Sequence, residues 1–330
     1  MTWSASAASL LALSFAGAVV TQGVAARREA RAVADHPPQG RFVEVDGTPI
    51  HYVQRGTGPH LVLIHGAGGN VRDFTFSFLD HAVREFTVTA FDRPGLGYSG
   101  RLQGVPTRAL AWRAESLDQQ ARLLRAAAER LGIAAPVVLG HSFGGSVALA
   151  WALADLADPS PASAEALVTV AAATHPWPGG LGARYTIGGT RLGGALLIPA
   201  LSAWAPESRI EGAIASSFAP QPAPEGYKGH IGGRLTLRRA SFRANIRQVN
   251  TLRPQIVAMA ARYPELGLPL EVVHGTRDGV TPIEIHGAPL AEAVPGARLT
   301  ALDGVGHMPH HVSPGAVMAA VRRARERAGG

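Results

Sequence analysis

Eight short apolar runs, alternating with helical patterns, constrain the fold of this chain more than any other feature of its sequence. Most of the runs are continuously apolar, as expected of parallel strands that are covered on both faces. Strands that alternate with helices predict an α/β fold with a mostly parallel sheet and right-handed crossovers. The clearest helical pattern spans residues 115–131, and Gly132 ends it. The strand-like runs are residues 42–45, 50–54, 61–64, 86–91, 136–139, 167–170, 270–273 and 298–302.

One long segment interrupts this alternation. Residues 175–266 are rich in Gly, Pro and Arg, and they contain helix-like patches but no convincing strand. Because the segment lies between the sixth and seventh predicted strands, we expect a mainly helical insertion that covers one edge of the core as a lid. The core is then expected to comprise residues 41–174 and 267–330.

The composition excludes several classes of protein. The chain has 330 residues, of which 46% are hydrophobic and 17% are charged. This composition is too apolar for a disordered chain, and the length is sufficient for one large α/β domain with an insertion. The absence of cysteine excludes a disulfide framework, a cysteine-ligated metal site and a cysteine nucleophile. The net charge of +7 is weak evidence for nucleic-acid binding, and we predict no nucleic-acid partner, metal or cofactor.

The amino terminus differs from the rest of the chain. Residues 1–26 contain no charged side chain, and residues 10–20 form an apolar run. The segment is predicted to be a membrane anchor, and the arginines that follow it favour a cytoplasmic location for the folded part. One alternative is a cleaved signal peptide, which would export the protein, because residues 24–26 resemble a cleavage site. The other alternative is a core or surface helix. Residues 27–40 are predicted to be a linker.

The pattern Gly-His-Ser-Phe-Gly at residues 140–144 is the strongest chemical signal in the chain. It follows the fifth predicted strand and precedes a helical pattern that begins near Ser146. A strand, a sharp turn and a helix in this order expose the hydroxyl of the central serine, here Ser142. The start of the helix also favours the negative charge that develops during acyl transfer. Ser142 is therefore the predicted nucleophile, and an ordinary glycine-rich turn is the alternative.

A second glycine-rich loop, residues 65–70, follows the third predicted strand. It lacks the Lys-Ser/Thr ending of a phosphate-binding loop. Its backbone N–H groups could instead turn towards the nucleophile. The N–H groups of Ala67 and Phe143 are predicted to hold a tetrahedral oxyanion together.

Two further loops supply a candidate acid and a candidate base. Asp278 follows the seventh predicted strand, and His307 follows the eighth, beside a glycine. The chain order Ser142, Asp278, His307, with each residue after a strand, predicts a catalytic triad. Three other residues could be confused with this acid and base: Asp303, His310 and His311.

With these motifs the chain resembles α/β-hydrolase fold proteins, in particular the lidded subgroup of esterases and haloperoxidase-like hydrolases. The resemblance extends from Arg41 to the end of the chain, and residues 92–99 add a further family signature. It implies a mostly parallel eight-stranded sheet with helices on both faces and a lid after the sixth strand. It also implies the roles given above to Ser142, Asp278 and His307. Dehalogenases and epoxide hydrolases of this family use an aspartate in place of Ser142, so those activities are disfavoured.

A serine nucleophile in this fold implies an acyl-enzyme. We expect hydrolysis of a small hydrophobic carboxylic ester, without a metal or cofactor. Two alternatives remain open at this stage. The first is a hydrolase that cleaves a C–C bond of a keto-acid or diketone, and the second is a non-catalytic binding protein with this fold.

The predicted lid combines apolar and basic stretches. Its apolar part spans residues 192–204, and no acidic residue occurs between Gly226 and Pro264. The basic side chains could form a solvated face, or they could contact an anionic bilayer together with residues 1–26. His175, Trp177 and Phe218 are candidates for lining the pocket, but the sequence assigns no substrate-binding residue. The basic residues are Lys228, Arg234, Arg238, Arg239, Arg243, Arg247, Arg253 and Arg262.

Overall fold

The central feature of the fold is a single eight-stranded sheet. The computed structural model describes residues 5–111 and 113–329, with the side chains of the first helix described from residue 13. The predicted α/β fold with a mostly parallel sheet is confirmed. The strands are β1 (Arg41–Val45), β2 (Thr48–Arg55), β3 (His60–Ile64), β4 (Thr87–Phe91), β5 (Val137–His141), β6 (Ala166–Val170), β7 (Leu270–Gly275) and β8 (Arg298–Leu302).

The order of the strands places the ends of β3, β5, β7 and β8 along one edge of the sheet. The order is β1-β2-β4-β3-β5-β6-β7-β8. Strand β2 is antiparallel to both of its neighbours, and all other pairs are parallel. Because the carboxyl ends of parallel strands meet at one edge, loops that are distant in sequence come together there.

Two apolar layers enclose the sheet. Alternate residues of a strand face opposite sides, so Val62 packs with the helices of one face and Leu63 with those of the other. Both side chains are completely buried, and full burial of each stabilises the fold by about 1.5–3 kcal/mol. The edge strand β8 is more exposed. This burial explains why the central strands could be predicted from continuous apolar runs.

Helices connect the strands and cover both faces of the sheet. The pattern predicted over residues 115–131 forms a helix over Leu117–Arg130, which begins with a capping box of Ser116 and Gln119. The helices outside the insertion are α1 (Ala5–Asp35), α2 (Arg72–Thr75), α3 (Phe78–Ala82), α4 (Leu117–Arg130), α5 (Phe143–Asp155), α13 (Gly287–Ala293), α14 (Pro309–Val312) and α15 (Pro314–Ala328).

The segment between β6 and β7 is helical, as the sequence predicted. Several of its basic side chains form ion pairs, for example Arg234 with Glu207 at 2.7 Å and Arg239 with Glu29 at 2.8 Å. These contacts favour a structural role for part of the basic stretch. The helices are α6 (Ala183–Gly188), α7 (Arg191–Trp204), α8 (Glu207–Phe218), α9 (Tyr227–Ile231), α10 (Gly233–Thr236), α11 (Arg239–Asn250) and α12 (Leu252–Ala260), followed by a 3-10 turn (Tyr263–Glu265).

The amino-terminal segment corrects two of the sequence predictions. Helix α1 continues to Asp35, so most of the predicted linker over residues 27–40 is helical. Arg28 holds this part of the helix by donating to the carbonyl oxygen of Ala205 at 3.0 Å. The membrane-spanning prediction for residues 1–26 is not supported, because no helix within the described ranges is long and apolar enough to cross a bilayer. Residues 1–4 of that segment lie outside the described residues.

Candidate active site

Ser142 lies at a sharp turn between β5 and α5. Its backbone has a φ of 53° and a ψ of −121°, a combination that non-glycine residues rarely adopt. Strain of this kind costs about 1–3 kcal/mol and is concentrated at functional sites. A Cβ at Gly140 would lie 2.2 Å from the carbonyl oxygen of Gly144, and a Cβ at Gly144 would lie 2.1 Å from that of Ile64. The turn therefore has no space for a side chain at either glycine.

The structure brings the three residues of the predicted triad together. His307 Nε2 lies 3.0 Å from Ser142 Oγ, and His307 Nδ1 lies 2.8 Å from Asp278 Oδ2. All three residues are buried. With Asp278 ionised, Nδ1 of His307 carries the proton, and Nε2 can accept a hydrogen bond from the serine hydroxyl. The arrangement can move a proton from Ser142 to His307 while Asp278 holds the ring.

Asp278 is held as an anion by several donors. The backbone N–H groups of Val280 and Thr281 donate to its Oδ1 at 2.8 and 2.9 Å. Burial alone would raise the pKa of Asp278, but hydrogen bonds from His274, His307 and Thr281 outweigh burial and hold the pKa well below its usual range. The carboxylate therefore stays ionised at every pH at which His307 can act as a base.

The loop of residues 65–70 lies against Ser142. A Cβ at Gly66 would be 3.0 Å from the Cβ of Ser142. Neither the Ala67 N–H nor the Phe143 N–H donates to an acceptor within the described part of the chain. Phe143 is the first residue of α5, where backbone N–H groups have no partner within the helix. Both amides predicted for the oxyanion hole are therefore available to a ligand.

Two side chains of the insertion hold the same loop at Gly68. Asn245 Oδ1 accepts a hydrogen bond from the Gly68 N–H at 2.7 Å, and the Thr236 hydroxyl donates to the Gly68 carbonyl oxygen. The insertion thus fixes both backbone groups of the residue that follows Ala67. The sequence analysis did not single out either side chain, because a polar residue on an insertion helix carries no local signal of this contact.

Arg93 holds the loop of residues 65–70 through its carbonyl groups. Its guanidinium donates to the carbonyl oxygens of His65 and Gly66 at 3.0 and 3.1 Å and lies 4.1 Å from the ring centre of Phe143. It also donates to Gln248 of the insertion. Burial lowers the pKa of Arg93 to about 9, so the side chain remains a cation near neutral pH. The sequence analysis noted this residue only within the family signature.

The rival residues named above lie elsewhere. Asp303 accepts a hydrogen bond from the Thr276 hydroxyl at 3.2 Å and is exposed, whereas His310 and His311 contact Asp73. The three candidates for pocket lining each pack against another aromatic ring. These pairs are His175 with Tyr263, Trp177 with His286, and Phe218 with Tyr227.

Comparison with known proteins identifies the family. The sequence profile described as alpha/beta hydrolase fold matches residues 59–314. The chain belongs to this family. The matched region includes Ser142, Asp278, His307 and the loop of residues 65–70, so the family assignment covers the whole candidate site.

Several relatives resemble this member of the family. An uncharacterized protein of Mycobacterium tuberculosis is 29% identical over 310 residues, which are 90% of this chain and 84% of the relative. The acetyltransferase component of the acetoin cleaving system of Cupriavidus necator is 38% identical over 110 residues, but the match spans only 26% of that protein and 33% of this chain. Its activity therefore does not transfer to the present chain.

Solved structures show the same fold. A 2-hydroxy-6-oxo-6-phenylhexa-2,4-dienoate hydrolase from Rhodococcus superposes with a TM-score of 0.69 at 18% identity, covering 87% of this chain and 98% of its own. Solved esterases are among the other structural neighbours. At this level of identity the likeness shows the fold and leaves the substrate open.

The packing at Gly144 leads to a first prediction. Gly144→Ala should destabilise the protein by about 3 kcal/mol or more, because the added Cβ would collide with a buried backbone oxygen. Gly212→Ala is the matched control, since nothing lies within 4 Å of its Cβ position in α8. It should stabilise the helix by about 0.5–1 kcal/mol. Urea unfolding monitored by circular dichroism measures both, and equal stabilities would contradict this account of the turn.

Proposed function

We propose that the protein is a serine hydrolase that cleaves a carboxylic ester through an acyl-enzyme. The observation that supports this proposal most directly is the continuous hydrogen-bonded path from Ser142 Oγ through His307 to Asp278 Oδ2, which begins at a strained turn. A structural serine would not need a backbone conformation that costs about 1–3 kcal/mol. An aspartate in place of Ser142 would be the family pattern for dehalogenation.

The first chemical step follows from these contacts. His307 Nε2 removes the hydroxyl proton while Ser142 Oγ attacks the carbonyl carbon of the ester. The carbonyl oxygen becomes an oxyanion, which the N–H groups of Ala67 and Phe143 stabilise. Asp278 stabilises the imidazolium that forms on His307 without taking its proton. When the C–O bond breaks, His307 gives its proton to the leaving alcohol.

The second step repeats this chemistry with water. His307, now neutral again, removes a proton from a water molecule, and the hydroxide attacks the acyl carbon. Collapse of the second tetrahedral intermediate releases the carboxylic acid and returns the proton to Ser142 Oγ. All proton transfers pass through one nitrogen atom, His307 Nε2, which the structure places 3.0 Å from the serine oxygen.

A hydrophobic ester is the proposed substrate class. Helix α11 carries Asn245, which contacts the loop beside Ala67, and within one turn it carries the buried apolar residues Phe242 and Ile246. The insertion therefore combines polar contacts to the loop, from Asn245 and Thr236, with buried apolar side chains on the same helix as Asn245. This supports an ester with an apolar acyl or alcohol group.

Labelling with a fluorophosphonate tests the proposal. The reagent should modify Ser142 alone, because only a serine with an activated hydroxyl attacks its phosphorus atom. Peptide mapping by mass spectrometry locates the label, and Ser146, a buried serine one turn further along α5, is the internal control. If folded protein takes up no label, the non-catalytic binding protein becomes the better interpretation.

A substrate series then separates ester hydrolysis from C–C bond hydrolysis. Nitrophenyl esters with acyl chains of two to twelve carbons should be hydrolysed with a kcat/KM that rises with chain length. A vinylogous diketone acid should not be cleaved at a comparable rate. Faster turnover of the diketone acid would instead assign the triad to C–C bond cleavage.

A further inference from the structure

A compact group of buried polar side chains lies directly behind the candidate active site. Asp73, His141 and His310 come from α2, the end of β5 and α14, and they are 3%, 4% and 0% exposed. His141 is the neighbour of Ser142 in sequence, and His310 lies one turn after His307. We call these three residues the Asp73 cluster. The proposed reaction does not use any of them.

The donor atoms of the Asp73 cluster have the spacing of a metal site. Asp73 Oδ2 lies 3.2 Å from His310 Nε2 and 3.8 Å from His141 Nδ1, and the three atoms all lie within 4.8 Å of one another. A zinc ion binds nitrogen and oxygen at about 2.0–2.2 Å in tetrahedral geometry, which places neighbouring ligand atoms about 3.4 Å apart. The two distances from Asp73 Oδ2 are close to this value.

The hydrogen bond made by His141 leaves a lone pair on its Nδ1 atom, on the side of the ring that faces Asp73. His141 Nε2 lies 2.9 Å from the carbonyl oxygen of His307, which can only accept, so Nε2 carries the proton. Nδ1 of the neutral ring is then an acceptor, and it has no hydrogen-bond partner among the described residues. It faces the Asp73 carboxylate, which is also an acceptor. Two buried acceptors that face each other repel unless a cation lies between them.

The other carboxylate oxygen of Asp73 is held in place by two donors. Tyr227 donates its hydroxyl to Asp73 Oδ1 at 2.7 Å, and His311 Nε2 lies 2.9 Å from the same atom. Outer contacts of this kind orient the carboxylates that bind metal ions. They also leave Oδ2 directed towards the two other members of the cluster. Within the described part of the chain, the ion pairs of Asp73 are all with histidines and none is with arginine or lysine.

We propose that Asp73 Oδ2, His141 Nδ1 and His310 Nε2 bind one divalent transition-metal ion of the zinc type, with a water molecule as the fourth ligand. Two imidazoles and a carboxylate suit Zn²⁺ and also Co²⁺, and they suit Mg²⁺ or Ca²⁺ poorly. The sequence analysis predicted no metal, because the three residues are far apart in the chain and form no spaced motif. The proposal does not depend on the ester-hydrolase assignment.

Binding requires one change of tautomer. In the metal-free arrangement His310 Nε2 donates a hydrogen bond to Asp73 Oδ2. When the ion binds, the proton of His310 moves to Nδ1, so Nε2 offers its lone pair and the ring stays neutral. His141 already presents a lone pair, and no other proton has to move. The ion would link α2, the turn of Ser142 and the His307 loop, and it would therefore act as a structural support.

Metal analysis of the full-length protein, without an affinity tag, tests this proposal. The protein is treated with a chelator, dialysed against Zn²⁺ and then against metal-free buffer, and its zinc is measured by mass spectrometry. We expect about one zinc per chain and a higher Tm with Zn²⁺. The Co²⁺ form should show visible absorption bands of a tetrahedral site. Less than 0.1 equivalent of zinc in the folded wild type would overturn the proposal.

Variants locate the ion. His310→Gln and Asp73→Asn should each weaken zinc binding by about 100-fold or more and abolish the rise in Tm. His51→Gln is the matched control, because His51 is also a buried histidine in contact with a carboxylate, Asp92, at 2.7 Å. It should bind zinc like the wild type. Unchanged binding in the cluster variants would place the zinc elsewhere and refute the site. If a variant does not fold, the zinc content of the wild type alone tests the proposal.

Discussion

Replacement of Ser142 by alanine should lower kcat for ester hydrolysis by at least about 10⁴-fold while leaving the fold intact. The hydroxyl oxygen is the atom that attacks the ester. The variant therefore lacks the nucleophile of the first step, although His307 is still present. The residual rate would come from the free N–H groups of Ala67 and Phe143, which still polarise a bound carbonyl. KM should change much less than kcat, because the hydroxyl contributes mainly to the transition state.

The control for this variant is Ser216→Ala, on the exposed surface of α8. It should have the kcat, KM and Tm of the wild type. Stopped assays with a nitrophenyl ester, together with thermal unfolding of both variants, provide the measurement. A Ser142→Ala rate within tenfold of the wild type would show that another residue performs the attack.

Much of the fold follows from short-range sequence patterns. The central strands are buried on both faces, so their side chains are continuously apolar, and this is visible in residues 61–64 as clearly as in the structure. The insertion could be predicted for the opposite reason, since no apolar run of strand length interrupts it. Residues 27–35 were predicted as part of a linker but are helical, because charged residues can continue a helix as readily as they can form a linker. Arg28 stabilises that continuation through a contact 177 residues away.

Part of the candidate site could likewise be predicted from the sequence, and part could not. Ser142, Asp278 and His307 could be predicted because each follows a strand, and the parallel sheet brings strand ends to one edge. Arg93, Asn245 and the Asp73 cluster could not be predicted, since their roles depend on contacts between segments far apart in the chain. A single buried arginine or histidine has the same local sequence whether it supports a loop, binds a metal or packs in the core.

Replacement of Asp278 by asparagine should lower kcat by about 10³–10⁴-fold, and the expected cause is a change in the tautomer of His307. The backbone N–H groups of Val280 and Thr281 both donate to Oδ1, so the amide oxygen of the asparagine will occupy that position. Its NH₂ group will then face His307 Nδ1 and donate to it. The imidazole proton is forced onto Nε2, which can no longer accept the proton of Ser142.

Asp303→Asn is the matched control, since Asp303 also follows a strand near His307, but in the described part of the chain its side chain hydrogen-bonds only to Thr276. Its kcat should equal that of the wild type. Histidine ¹⁵N chemical shifts distinguish the two ring nitrogens and should show the proton of His307 on Nδ1 in the wild type and on Nε2 in Asp278→Asn. If the variant loses activity while the proton stays on Nδ1, the carboxylate acts through its charge, and the role of Asp278 is to stabilise the imidazolium rather than to select the tautomer.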